Sequence, residues 1–166
     1  FDKRLMYEES LSMPLLIQYP SRVKAGSTCD DIVVNVDFGP TLLDLMGVDI
    51  PKHVQGRSFA PILEGERPDD WPESMYYRYY EFPGAHSVQR HYGVRTDRYK
   101  LIFFYGCNMN GQDATPAAWE FYDLKEDPQE LNNRYGDPSF KRQVNRLKRR
   151  LVALKKQYAV PDRNGN

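Results

Sequence analysis

Apolar and polar positions alternate most regularly between Arg90 and Tyr105. Tyr92 and Val94, then Tyr99, Leu101 and Phe103, recur every second residue with polar or small partners between them, which is strand periodicity. Thr96-Asp97-Arg98 separates the two runs. An Asp there bonds its own backbone and tolerates unusual φ, so the spacing predicts a β-hairpin. Ser74 to Phe82 predicts another strand, with Met75, Tyr77 and Tyr79 on one face and Tyr76, Arg78 and Tyr80 on the other. Trp119 to Leu124 predicts a further short strand. Phe140, Val144, Leu147, Leu151, Leu154 and Tyr158 recur at steps of four and three. They form the apolar stripe of a helix of about five turns. Ser139 is positioned to cap it and Pro161 to end it. This stripe is expected to cover the face of the antiparallel sheet that would otherwise be wet.

Upstream the pattern is thinner. Met13 to Pro20 is a short apolar run bounded by prolines, which suits a strand buried on both faces. No second run of that kind follows. The strand near Leu15–Ile17 is therefore expected to be repacked, disordered or shared between chains by self-association. Pro40 to Gly47 predicts a compact helix, with Pro40 in the first turn and Gly47 as a left-handed cap. Pro61 to Gly65 gives one helical turn at most, and Gly106 to Ala118 is a polar loop without pattern. The charged stretch from Glu66 to Pro72 is the expected boundary. Residues 1–65 then read as an incomplete α/β layer. Residues 73–160 read as an α+β unit: a small antiparallel sheet packed by the long C-terminal helix.

Composition narrows the function classes. The chain has 166 residues, 23 Lys and Arg, and 23 Asp and Glu, a formal charge of zero. It has room for one full core and no global drive toward nucleic acid or an anionic membrane. No run approaches the roughly 20 apolar residues needed to span a bilayer. Cys29 and Cys107 allow one disulfide at most, and without C-x-x-C spacing no zinc site is expected. Phe1-Asp2-Lys3-Arg4 carries neither a helix start nor a strand pattern, so the chain is expected to be a piece of a longer protein.

Few residues offer chemistry. Lys3 lies in the kind of loop that frames α/β active sites, and an ammonium there suits a sulfate or phosphate oxygen. Arg95 and Arg98 are expected to pair with Glu81, Asp97 or Asp123. Asp30-Asp31 reads as a solvated acidic pair rather than a cation site, and His53 as a surface residue. The last helix carries Lys141, Arg142, Arg146, Lys148, Arg149, Arg150, Lys155 and Lys156 and no acid. That composition fits a polyanion-binding surface. The simpler reading, preferred here, is a solvated outer face balanced by the acids between Glu120 and Glu130.

Five ordered pieces carry a family resemblance. They are Lys3-x-x-x-Tyr7-Glu8 with Pro14; Val36-Asp37-x-x-Pro40-Thr41-Leu42-Leu43-Asp44-x-x-Gly47; Gln55-Gly56-Arg57-Ser58; Gly93-Val94-Arg95-Thr96-Asp97-Arg98-Tyr99-Lys100-Leu101-Ile102; and Trp119-Glu120-Phe121-Tyr122-Asp123-Leu124 through Asp127-Pro128, Glu130 and Asn133. Together they resemble the C-terminal part of type I sulfatases. The loop from Tyr79 through His91 is most similar to members acting on sulfated sugars, such as N-acetylglucosamine-6-sulfatases and mucin-desulfating enzymes. The resemblance implies an alkaline-phosphatase-like α/β domain, of which residues 1–65 would be the tail, followed by the smaller sheet-and-helix domain. It implies a parent exported from the cytoplasm, with a formylglycine nucleophile and a calcium ion. Neither Cys29 nor Cys107, nor any Ser, is followed by x-Pro-x-Arg, so no catalytic residue and no metal ligand is expected in this chain, which alone would be inactive. The resemblance implies Lys3 as a sulfate-binding lysine. His86, Arg90 and His91 would be substrate contacts from the small domain's loops. The partner implied is a sulfated carbohydrate, with no nucleic acid and no membrane. The alternative is a non-catalytic carbohydrate- or polyanion-binding module using the aromatic strands and the basic helix.

Overall fold

The structure is a computed structural model that describes residues 3–82, 87–105, 107–109 and 112–161. In chain order its elements are α1 (Glu8–Leu11), a 3-10 turn (Asn35–Asp37), α2 (Phe38–Leu45), α3 (Ala60–Leu63), β1 (Ser74–Tyr79), β2 (His91–Thr96), β3 (Tyr99–Phe104), β4 (Cys107–Met109), β5 (Gln112–Thr115), β6 (Ala118–Asp123), a second 3-10 turn (Pro138–Phe140) and α4 (Lys141–Gln157). They group into two units, residues 1–13 with 74–166, and residues 14–73.

The first unit is built on an antiparallel sheet of order β1-β2-β3-β6. The hairpin forms as the alternation predicts, with Val94 opposite Leu101 and Arg95 opposite Lys100. Helix α4 covers one face. Val144, Leu147, Leu151 and Leu154 pack against Val94, Leu101 and Phe121. Burying each such side chain contributes about 1.5–3 kcal/mol. The helix start differs from expectation: Ser139 lies in the 3-10 turn Pro138–Phe140 that leads into α4, and that turn is capped by Asp137, whose Oδ1 accepts from the Ser139 N–H at 2.9 Å and its hydroxyl at 2.7 Å.

The other face is covered by residues 3–13, a role the sequence pattern does not show. Met6 is buried with Ile102, Phe104 and Tyr122, flanked by Leu5, Tyr7 and Leu11. Leu101 to Phe104 are therefore buried without alternation, as expected for a strand sandwiched on both faces. Gly93 makes the close approach possible. A Cβ there would stand 2.6 Å from the Met6 sulfur and 2.4 Å from the Leu101 carbonyl oxygen. The first thirteen residues thus belong with the sheet and not with the segment that follows them. The stretch expected to be a structureless loop after β3 contains a small antiparallel pair, β4 with β5.

In the second unit, the Asp37 carboxylate accepts from the Val34 N–H at 3.0 Å and the Arg57 N–H at 2.9 Å. The Thr41 hydroxyl donates to the Asp37 carbonyl at 2.6 Å and accepts from the Phe59 N–H at 3.0 Å. These bonds tie α2 to the Gln55–Ser58 turn. Gly47 ends α2 at φ 70°, the left-handed cap its position predicts. Phe59, Ile62 and Trp71 form the small core, so the charged stretch around Trp71 belongs to this unit.

The expected strand at Met13–Pro20 does not form: residues 12–19 have no ladder partner. A strand without neighbours leaves its backbone groups to water, and here the side chains find separate uses. Ile17 packs on the Phe59–Ile62–Trp71 core, whereas Leu16 is 91% exposed. The route to self-association expected near Leu15–Ile17 is therefore not a strand edge.

Candidate functional site

Of the sequence-predicted residues, Arg90 and His91 lie where β2 begins, and Lys3 lies in a turn held to the sheet through Arg4. Lys3 lies in the turn before α1 and is exposed, its Nζ 3.5 Å from the Met13 sulfur. Its neighbour Arg4 anchors the turn to the sheet: the Arg4 carbonyl accepts from the Tyr77 hydroxyl at 2.8 Å, and its guanidinium lies 3.8 Å from Glu81. Tyr77 in turn stacks on His91, ring centroids 5.7 Å apart. Lys3 and His91 are thus linked through Arg4 and Tyr77. Arg90 is half-buried, donating from Nη2 to the Phe82 carbonyl at 3.4 Å. Its Nε is buried with no hydrogen-bond partner among the described residues. His86 lies outside the described residues.

His91 is fully buried rather than set at an opening. Its ring lies between Tyr77, Tyr79 and Phe104. Nδ1 is 2.7 Å from the Gln89 carbonyl, and a carbonyl only accepts, so Nδ1 carries the proton. Nε2 is buried and has no partner among the described residues, at a cost of about 1–3 kcal/mol. Burial holds the imidazole pKa below its ordinary value, against the pull of the Gln89 carbonyl. The unfolded chain takes this proton near pH 6.5 and the folded chain only at lower pH. The stability from neutral His91 is therefore complete above about pH 6.5 and is lost as pH falls toward the folded pKa. We expect the melting temperature to decline between pH 6.5 and 5 and to decline less in His91→Phe. Parallel profiles for the two proteins in calorimetry would exclude His91 as the source.

Beneath the same N-terminal turn lies a charged cluster. The Lys100 ammonium is wholly buried, 2.8 Å from Glu8 Oε1 and 2.7 Å from Glu130 Oε1. Glu8 also receives Arg95, Nη2 at 3.0 Å. The Glu8 N–H donates to Glu130 Oε2 at 2.6 Å. Burial acts to raise the Glu8 carboxyl, but hydrogen bonds from Arg95 and Lys100 outweigh it and hold the pKa low. Glu130 has one cation where Glu8 has two, and burial pushes its pKa up. Glu130 sits at φ 55°, an uncommon conformation for a non-glycine residue. The Tyr7 and Tyr122 hydroxyls both donate to Glu120 at 3.0 Å. Burial first and the Glu120 charge second push both phenols up.

Sequence reasoning missed Glu8, Lys100 and Glu130 as a set. The available signal was a lysine on the same strand face as Ile102 and Phe104. It found Arg98–Asp123, a two-pronged pair at 2.9 and 2.7 Å, which holds the Asp123 carboxyl below its usual range. Arg95 pairs with Glu8 instead of the expected acids. Asp31 is paired with Arg67 at 2.6 Å and is not part of a solvated pair.

Among the described residues no group of three or more His, Cys, Asp or Glu side chains is arranged to hold a metal ion. Cys29, an exposed thiol, contacts Asp31 and lacks the x-Pro-x-Arg that conversion to formylglycine needs. Among the described residues, none is therefore arranged to hold calcium or suited to become formylglycine. No described helix is long and apolar enough to cross a membrane.

The N-sulphoglucosamine sulphohydrolase C-terminal family matches residues 1–157. The chain belongs to that family. The match takes in Lys3, the buried charge cluster, the whole sheet and α4. An N-acetylglucosamine-6-O-sulfatase of Bacteroides thetaiotaomicron is 49% identical over 164 residues, 98% of this chain and 28% of that protein. An arylsulfatase of Clostridium perfringens is 29% identical over 158 residues, 92% of this chain and 29% of that protein. A solved structure bound to its substrate, D-glucosamine-2-N,6-O-disulfate, superposes with a TM-score of 0.88 at 48% identity, covering 98% of this chain and 32% of that one. The chain thus spans under a third of the length of these relatives. The α+β class expected from sequence, an antiparallel sheet under a long C-terminal helix, is the one found.

Proposed function

We propose that this chain is the C-terminal part of a sulfatase that hydrolyses a sulfate ester on a glucosamine-type sugar. The observation that carries this reading is the 49% identity, over 98% of the chain, to an N-acetylglucosamine-6-O-sulfatase. A neighbouring structure holding a disulfated glucosamine supports the same substrate class. The Lys3 ammonium binds the sulfate, and the Arg4–Tyr77–His91 contacts hold its turn on the sheet. Arg90 and His86 complete the substrate-facing set of this reading, and His91, fully buried, acts only by supporting Tyr77 from within the sheet. The nucleophile and metal come from the remainder of the longer protein, which acts outside the cytoplasm.

The test is a chimera in which this chain replaces the matching segment of the Bacteroides relative. We expect sulfate release from N-acetylglucosamine-6-sulfate by the chimera and none by the chain alone. Release by the chain alone, or a folded chimera without activity, would overturn the reading.

A further inference from the structure

The cations of α4 are not balanced in the way the sequence suggests. Between Pro138 and Pro161 there are eight Lys and Arg and no Asp or Glu. The acids expected to neutralise them are committed elsewhere. Glu120 accepts from Tyr7 and Tyr122, Asp123 holds Arg98 with Glu126 3.9 Å from the same guanidinium, and Glu130 holds Lys100. Asp127 caps the Leu131 and Asn132 N–H groups. Among the described residues, none of Lys141, Arg142, Arg149 and Lys156 has a carboxylate within ion-pair distance.

These cations follow a repeat. Lys141-Arg142, Lys148-Arg149 and Lys155-Lys156 stand seven residues apart, about 10.5 Å along the axis. A seven-residue step drifts only about 20° around a helix, so the three pairs share one side, opposite or flanking the buried stripe. The inner members of the second and third pairs rest on aromatic rings. Lys148 lies 4.5 Å from the Trp119 ring centre and 4.9 Å from that of Tyr135, and donates to the Tyr135 hydroxyl at 2.6 Å. Lys155 lies 4.9 Å from the Tyr92 ring centre. The outer members, Arg142, Arg149 and Lys156, are exposed. At the start of the row a cleft of about 340 Å³ is lined by Tyr135, Asp137, Lys141, Asn145 and Lys148 among others. Its one acid, Asp137, is already paired with Arg134 at 2.7 Å.

We propose that this face of α4 binds a sulfated polysaccharide strand, with successive anionic groups on the three basic pairs and a sugar ring seated at Tyr135 in the cleft. A fixed cation spacing suits a linear polymer whose charges repeat on the scale of a disaccharide, and the aromatic wall suits a sugar ring. A zero-charge chain with one cationic row does not suit the broad basic surface of a nucleic-acid binder. The surface is a binding site separate from the Lys3 turn. Its choice of a sulfated partner rests on the sulfatase reading.

The test measures binding of heparin to the full chain by titration calorimetry across salt concentrations, beside the triple variant Arg142→Gln, Arg149→Gln, Lys156→Gln. None of these three side chains packs in the core, and far-UV circular dichroism checks the fold. We expect binding at 0.15 M salt, at least tenfold weaker in the triple variant, with the salt slope reduced by about 2. Lys24→Gln with Lys52→Gln should bind as the parent does. Absence of binding, equal weakening in both variants, equal affinity for desulfated heparin, or equal affinity for single-stranded DNA would each overturn the proposal. Sulfate release by the chimera is read separately, so either conclusion can fail without the other.

Discussion

Replacing Lys100 with Met will cost about 3–5 kcal/mol of stability at pH 7, the penalty for leaving buried charge without its partner. Lys100 is wholly buried and the Glu130 side chain is 1% exposed, so water cannot enter to replace the ammonium. Glu8 keeps Arg95, but Glu130 loses its cation. The Glu130 carboxyl, already raised by burial, will rise further in the variant. A carboxyl whose folded pKa exceeds its unfolded one favours the fold below the unfolded pKa, and this advantage is lost as pH rises through the folded pKa. The deficit of Lys100→Met should therefore shrink as pH falls toward 5. Adding Glu130→Gln should recover part of it at pH 7, because the two sites share one interaction. Urea denaturation of the three proteins at pH 7 and pH 5 makes the check. A loss under about 1 kcal/mol, or no recovery in the double variant, would mean that the cluster is solvated in solution.

The second large effect concerns activity. Lys3→Ala in the active chimera should lower kcat/KM for N-acetylglucosamine-6-sulfate by about 10²-fold, the scale of one charged donor removed from a developing anion. Lys3→Arg should restore only part of it, because a planar fork cannot take the place of a compact ammonium. The fold should not change, since the Lys3 side chain is exposed and its hydrogen bond among the described residues is to the Met13 sulfur. A steady-state assay with both variants decides the matter, and an unchanged kcat/KM for Lys3→Ala would remove Lys3 from the site.

The elements with regular spacing were legible because their pattern and their packing agree. The hairpin declared itself through Tyr92, Val94, Leu101 and Phe103, and α4 through the stripe from Val144 to Leu154. The covering of the second sheet face was not legible. Residues 3–13 contain one four-residue helix and no sustained period, and their packing depends on a partner far along the chain. Lys100 was hidden for the same reason. In a strand with one wet face it would point to solvent, and only Glu8 and Glu130, arriving from opposite ends of the unit, make its burial tolerable. The Met13–Pro20 run has the composition of a doubly buried strand, but pairing requires neighbours that the described residues do not supply, and Ile17 is packed instead on the Phe59–Ile62–Trp71 core. In the candidate site the spacing from Lys3 to Tyr7 carried only the family resemblance, whereas the burial of His91 follows from Tyr77, Tyr79 and Phe104 closing over it.

The hydrogen bond from Glu8 to Glu130 closes a span of 122 residues. A ribosome adding 5–20 residues each second delivers Glu130 roughly 6–24 s after Glu8. For most of that interval, until Ile102 and Phe104 are made, Leu5, Met6 and Leu11 have no sheet to cover, and the strap of residues 3–13 must wait longer still for the latch that holds it.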